Sequence, residues 1–197
     1  GGFPLVLNVR CERVTVSGAG DQITAALGGV SATAPLYWPG DVAAKLDAPL
    51  VINIPARDVA LTTTWSTGTA NATAGLAGLK GFGAAFNGFA AENANPVANL
   101  PVKQGAATEA HGSIMPSADA GGSYVVRAGA TKLRLARNDG SALPDMDAET
   151  RLTLVDVGPA LGSDPAETIL AWARNGGTLK IDRVRIAGVG AIIGGIK

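Results

Sequence analysis

The sequence predicts an all-β protein: a curved antiparallel meander, arranged as a sandwich or a groove, with one C-terminal α-helix packed on it. Three observations carry that expectation. Apolar residues recur at every second position in most segments, as in Leu50, Ile52 and Ile54, a period that strands give and helices do not. A helical pattern with its stop signals occurs once, near residues 163–177. The 27 glycines follow no collagen-like period and read as bulges and thin strand faces.

Taken in order, Leu5, Leu7, Val9 and Cys11 share one strand face, whereas Val14 and Val16 are even-numbered. One extra residue near Glu12–Arg13, a β-bulge, reconciles the two phases. Cys11 is then expected to be a small buried hydrophobe. Gly18 to Asp21 predicts a turn. A second strand covers residues 23–36, interrupted at Gly28–Gly29, and ends at Tyr37-Trp38-Pro39-Gly40, a turn expected to close one end of the core.

Asp41 to Leu46 and Leu50 to Ile54 read as two strands with a reversal at Asp47-Ala48-Pro49, because proline offers no N–H to a ladder. Val59 to Trp65 forms the next, and residues 66–74 a weak polar strand. From Gly81 to Phe89, Phe82, Ala84 and Phe86 are expected on one side, with Ala85, Asn87 and Phe89 on the other, so that both sides meet apolar partners. Residues 90–101, with three asparagines and two prolines, read as a loop.

Residues 108–115, 124–136 and 149–157 read as further strands. Lys132 to Arg137 alternates most regularly, and Asn138-Asp139-Gly140 ends it with residues that accept positive φ. The helix takes Ser163 or Asp164 as cap, Pro165 in its first turn, Ile169, Leu170 and Trp172 as its stripe, and Asn175-Gly176-Gly177 as its stop. A last strand, residues 178–186, changes phase at Asp182–Arg183 and calls for a second bulge. The still apolar residues 188–197 suggest a chain trimmed mid-sheet, or an edge covered by something else.

The whole reads as one β-rich domain over residues 1–197, with any internal division near 90–101. Sixteen basic against sixteen acidic residues leave no net charge, so the electrostatic footprint of a nucleic-acid binder is missing. A charged fraction of only 16% leaves the surface to Ala, Gly, Thr and Ser. One cysteine allows no intrachain disulfide, and no run of eighteen apolar residues spans a membrane. A start at Gly1-Gly2 is compatible with removal of an upstream signal or anchor.

Each candidate for chemistry has a plainer reading. His111, the single histidine, lies in a plain strand pattern with no nucleophile elbow beside it, and pairs with Cys11 in no metal-ligand spacing. Asp145, Asp147 and Glu149 alternate as a hard-cation patch would, yet Leu143-Pro144 marks a solvated turn and a calcium loop's glycine is missing. Gly188-Val189-Gly190 with Gly194 imitates a nucleotide loop without its helix or lysine. Asn71-Ala72-Thr73 fits a glycosylation acceptor, a pattern common by chance. Lys132, Arg134, Lys180, Arg183 and Arg185 form either a basic stripe for phosphate headgroups or ordinary solvated faces.

Gly2-Phe3-Pro4 followed by Cys11, the Tyr37-Trp38-Pro39 turn with Asp47-Ala48-Pro49 ten residues on, and Leu170-Ala171-Trp172 running into Gly176-Gly177-Thr178-Leu179 resemble the proteobacterial envelope family catalogued as domain of unknown function 2125. That resemblance implies a periplasmic body preceded by a membrane anchor, with no assigned activity. In style the long strands are also similar to AsmA-like envelope proteins, whose curved sheets form lipid-accommodating grooves.

The expectation is therefore a non-enzymatic periplasmic protein, tethered to the inner membrane by a segment upstream, whose apolar sheet face binds lipid or another hydrophobic ligand. Leu61, Trp65, Phe82, Phe86, Phe89 and Trp172 are its candidate ligand-binding residues, with no catalytic residue, metal or cofactor. The alternative is a structural or assembly protein whose Gly- and Ala-rich faces contact other proteins, an envelope partner among them. An enzyme would require a cleft that gathers His111 with Asp145 and Asp147.

Overall fold

The computed structural model describes residues 5–18, 23–36, 40–55, 58–75, 78–95, 102–118, 121–158, 161, 165–188 and 191–192. Twelve strands form one antiparallel sheet. They are β1 (Val6–Cys11), β2 (Val14–Gly18), β3 (Ile23–Pro35), β4 (Asp41–Ile54), β5 (Val59–Thr64), β6 (Thr67–Gly75), β7 (Gly78–Asn93), β8 (Val102–Pro116), β9 (Tyr124–Arg137), β10 (Met146–Val155), β11 (Thr178–Gly188) and β12 (Ala191–Ile192). The single described helix, α1 (Pro165–Arg174), precedes β11. Two pairs of strands are halves of longer ribbons: β1 and β2 both pair with β3, and β5 and β6 both pair with β4 and β7. The strands thus follow one another as a meander, and the β7–β8 ladder joins its two halves.

Of the two bulges expected from phase changes, the one on β11 is present, whereas near Glu12–Arg13 the ladder breaks with no extra residue, two residues standing opposite Gly28–Gly29. β1 stops at Cys11 and β2 resumes at Val14, leaving Glu12–Arg13 outside the ladder. On β11, Arg151 faces Arg183 and Leu152 faces Ile181, so Asp182 is the extra residue. The chain does not reverse at Pro49. β4 runs unbroken through it, with a cis Ala48–Pro49 peptide. A proline with no N–H is tolerated there because both neighbouring ladders are interrupted at the same level: the β3 register shifts between Leu27 and Gly29, and the opposite ribbon breaks between Thr64 and Thr67. Gly28 is what fits against this segment, since a Cβ there would collide with the Ala48 carbonyl.

Other boundaries also differ from expectation. Residues 90–93 continue β7 rather than opening a loop, because Ala90 to Asn93 pair with β5 on one side and, through Glu92, with β8 on the other. Cys11 is exposed, not buried, since β1 is an edge strand whose residues are all exposed. The expected turns at Gly18–Asp21 and Tyr37–Gly40, the Ser163/Asp164 cap, the Gly2-Phe3-Pro4 start and most of residues 188–197 lie wholly or largely outside the described residues.

The helix ends as its sequence predicts. Gly177 N–H donates to the Trp172 carbonyl at 3.0 Å and Gly176 N–H to that of Ala173 at 3.3 Å, the paired bonds of a Schellman stop. The helix packs over one end of the sheet on a cluster of Tyr124, Leu154 and Leu161, with Ile169, Trp172, Leu79 and Val126 against it. Trp172 Nε1–H donates to the Val155 carbonyl at 2.8 Å. At the β9–β10 connection, Ser141 donates to the Asp139 carboxylate from backbone and hydroxyl, which holds that acid below the usual carboxylate range.

Candidate functional site

Cross-strand partners in a ladder carry side chains on one face, so the registers sort the sheet into two surfaces. One surface holds the row Arg10, Ser31, Lys45, Thr69, Ala85, His111, Gly129, Glu149 and Arg185 and is polar. The other holds Val9, Ala32, Ala44, Ala70, Ala84, Gly112, Ala128, Thr150 and Val184. One neighbouring row on that same side is Val42, Ala72, Phe82, Ile114, Val126, Leu152 and Ile181. The sheet is apolar on one face, and the expectation of apolar contact on both sides of β7 is corrected.

The correction has a local cause at Gly88. Its φ of +60° flips the phase of β7, so Phe89 returns to the side of Phe86 and their ring centroids lie 5.9 Å apart. Trp65 joins them, 4.8 Å from Phe86, in the gap between β5 and β6. Its indole lies over Gly68 and donates from Nε1 to the Leu46 carbonyl at 2.9 Å. These aromatics sit on a crease. Along it, consecutive residues are exposed in pairs on several ribbons: Glu12–Arg13, Ser66–Thr67, Asn87–Gly88, Thr108–Glu109 and Thr131–Lys132. Lys132 has a φ of +50°, and the β9–β10 register shifts beside it.

These ribbons therefore turn two successive residues to the polar surface at the same level, while the β7–β8 and β8–β9 registers run through it unshifted. Paired outward residues at one level lengthen that surface and bend the sheet around the apolar one. The result is a trough across the strands. Its floor is the Ala32–Ala44–Ala70–Ala84–Gly112–Ala128 row, one wall is Phe82, Ile114, Val126 and Leu152, and the other is Trp65, Phe86 and Phe89. From β3 to β9 the floor spans about 24 Å at ~4.8 Å per strand. Helix α1 stands at one end.

Of the six candidate ligand-binding residues, Trp65, Phe86 and Phe89 form one cluster, and Phe82 lines the opposite wall, 40% exposed. Leu61 is on the apolar face beyond the crease, paired with Ile52 and Asn93. Trp172 is apart from them, in the helix contact at the trough end. Reading the sequence missed the alanine floor, whose only signal is a set of long-range registers.

Of the groups an enzymatic cleft would gather, the polar face brings His111 and Asp147 together and leaves Asp145 apart. His111, over Gly129, shares a hollow of about 150 Å³ with Asp147, Glu149 and Arg185, where Thr131 is the single hydroxyl. Asp145 does not join them, for it receives Arg134 Nε at 3.0 Å on both oxygens. Asp147 accepts the Lys132 N–H at 2.8 Å. Among the described residues no three His, Cys, Asp or Glu side chains are grouped to hold a metal. A larger cleft, about 380 Å³, lies on the polar side beyond the crease, between Thr62, Ala90, Gln104 and Arg134. The expected basic stripe is divided, with β10 between the strand of Lys132 and Arg134 and the strand of Lys180, Arg183 and Arg185.

No helix among the described residues is long and apolar enough to cross a membrane. No curated protein and no solved structure matches the chain. A family described as "Uncharacterized protein conserved in bacteria (DUF2125)" matches residues 1–191. With nearly the whole sheet inside that match, the chain belongs to the DUF2125 family.

Proposed function

We propose that the protein is a non-enzymatic lipid-binding module whose bent, alanine-floored trough receives an acyl chain. The observation that carries this reading is the row of small residues between two aromatic and aliphatic walls, on a face that, among the described residues, α1 covers at one end. A ligand with apolar flanks and little width fits such a floor, and polar anchoring is left to the rim. A periplasmic location and an inner-membrane tether upstream of Gly1 belong to the same reading, supported by the family likeness drawn from the sequence.

The test is binding of a fluorescent fatty acid by the purified chain, with native mass spectrometry of protein taken from membranes. Ala84→Trp fills the middle of the floor and weakens binding about ten-fold or more, the equivalent of ~1.4 kcal/mol. Unchanged binding by that variant, with its β circular dichroism intact, overturns the reading. Cell fractionation tests the location.

A second reading is supported by the sheet edges. Leu7 and Val9 on β1 are 52% and 51% exposed, and Ile181 and Val184 on β11 are 61% and 46% exposed, so each edge presents an apolar ladder to a partner strand. Assembly of copies or with another envelope protein through these edges predicts concentration-dependent sedimentation. A single species at both low and high loading removes it.

A further inference from the structure

The polar face carries a feature that the lipid trough does not use. Ladder registers align Arg127 on β9, Arg151 on β10 and Arg183 on β11 in one row, with Ser113 of β8 at its end. Directly opposed like charges destabilise a sheet, so three guanidinium groups at successive strand spacings are a local cost. Asp182, 3.7 Å from Arg151 and bonded by Thr153 Oγ1 at 2.6 Å, neutralises one of them at most. Lys180 and Arg185 flank the row on the same face, giving five cations against the three carboxylates of Asp147, Glu149 and Asp182.

We infer that this arginine row is a docking site for the phosphate groups of an anionic phospholipid surface. Guanidinium groups bind phosphate oxygens bidentately, and bound anions would relieve the like-charge opposition within the row. A membrane fits better than a polynucleotide for two reasons. The patch is confined to three strands, about 10 Å across, on a chain without net charge, so it offers no extended track for a backbone. The next row on the same face begins with Met115, 42% exposed, and continues through Val125 and Thr153 to Lys180, which places apolar groups beside the cations as an interfacial surface does. The inference is independent of the trough, which opens on the opposite face.

Flotation with vesicles of phosphatidylglycerol and phosphatidylcholine tests it. Binding is expected at low ionic strength, with a loss of about five-fold per arginine removed, so Arg127→Gln/Arg151→Gln/Arg183→Gln retains about one hundredth of the affinity. Lys45→Gln/Lys103→Gln/Arg137→Gln, which removes as many cations elsewhere, keeps most of it. Equal binding to pure phosphatidylcholine, equal loss in both triple variants, or binding to duplex DNA but not to vesicles overturns the inference. Fatty-acid binding in vesicle-free solution is unchanged in the arginine variant, so the two proposals fail separately.

Discussion

The contact between Trp65 and Gly68 makes the crease accessible to a double-mutant cycle. Trp65 is 9% exposed, and a Cβ added at Gly68 would meet its indole Nε1 and Cδ1 and approach the Leu46 carbonyl. Overpacking of this kind costs about 1–3 kcal/mol. The displaced indole also loses its hydrogen bond to Leu46, about 1 kcal/mol. Against these stands ~0.5–1 kcal/mol gained when alanine replaces glycine within a strand. Gly68→Ala is therefore expected to destabilise by about 2 kcal/mol. In a Trp65→Leu background the obstructing ring is gone, and the same substitution falls within ~0.5 kcal/mol of neutral, a coupling of about 2 kcal/mol. Urea unfolding followed by far-ultraviolet circular dichroism measures all four corners. An equal cost of Gly68→Ala in both backgrounds would refute the packing argument, because the penalty would then belong to the backbone and not to the indole.

Gly88→Ala places an L-residue at φ +60° and should cost about 1–2 kcal/mol, with Gly88→Asn costing less; chemical denaturation of both distinguishes conformational strain from a volume effect. Gly28→Ala meets a backbone carbonyl that cannot yield as a side chain does, so a loss of about 3 kcal/mol or more is expected, read as a lowered midpoint or insoluble expression. The Tyr124 hydroxyl is buried without a hydrogen-bond partner, so Tyr124→Phe should be neutral or stabilising by up to ~1 kcal/mol. Burial raises that phenol above 10.0 in the fold, so the unfolded chain ionises first, and stability falls as pH rises past 10.0. Thermal melts at pH 9 and pH 11 should show a drop that is smaller in the phenylalanine variant.

What the sequence disclosed was local. The Ile181-to-Val184 phase change located the bulge at Asp182, and the Cys11-to-Val14 phase change the break between β1 and β2, because a period of two leaves no other place for a change of face. Asn138-Asp139-Gly140 and the Gly176–Gly177 stop were legible for the same reason, since a turn is decided within a few residues. Pro49 misled because its effect depends on neighbours: whether a missing N–H ends a strand is settled by breaks at Gly28 and Ser66, which lie 21 and 17 residues away along the chain. Phe89 misled because alternation was counted through Gly88, where the backbone leaves the extended region. The alanine floor and the arginine row have no local signature at all. Arg127, Arg151 and Arg183 become neighbours only when three registers are fixed together.

The exposed area bears on whether the trough is a resting surface or a site. The chain exposes 12803 Å², whereas a compact protein of 19.7 kDa exposes about 8,600 Å² by the usual scaling. A single curved layer contributes to the excess, since each strand has two faces and, among the described residues, α1 shields one end of one of them. Larger floor residues would give a second protein layer more area to bury, at ~25 cal/mol per Å². Alanine and glycine give it little, while they leave depth between Phe82 on one wall and Trp65, Phe86 and Phe89 on the other. Selection for a permanently covered face would favour leucine or isoleucine at Ala44, Ala70 and Ala84; a depth kept open by small side chains is what the proposed acyl ligand requires.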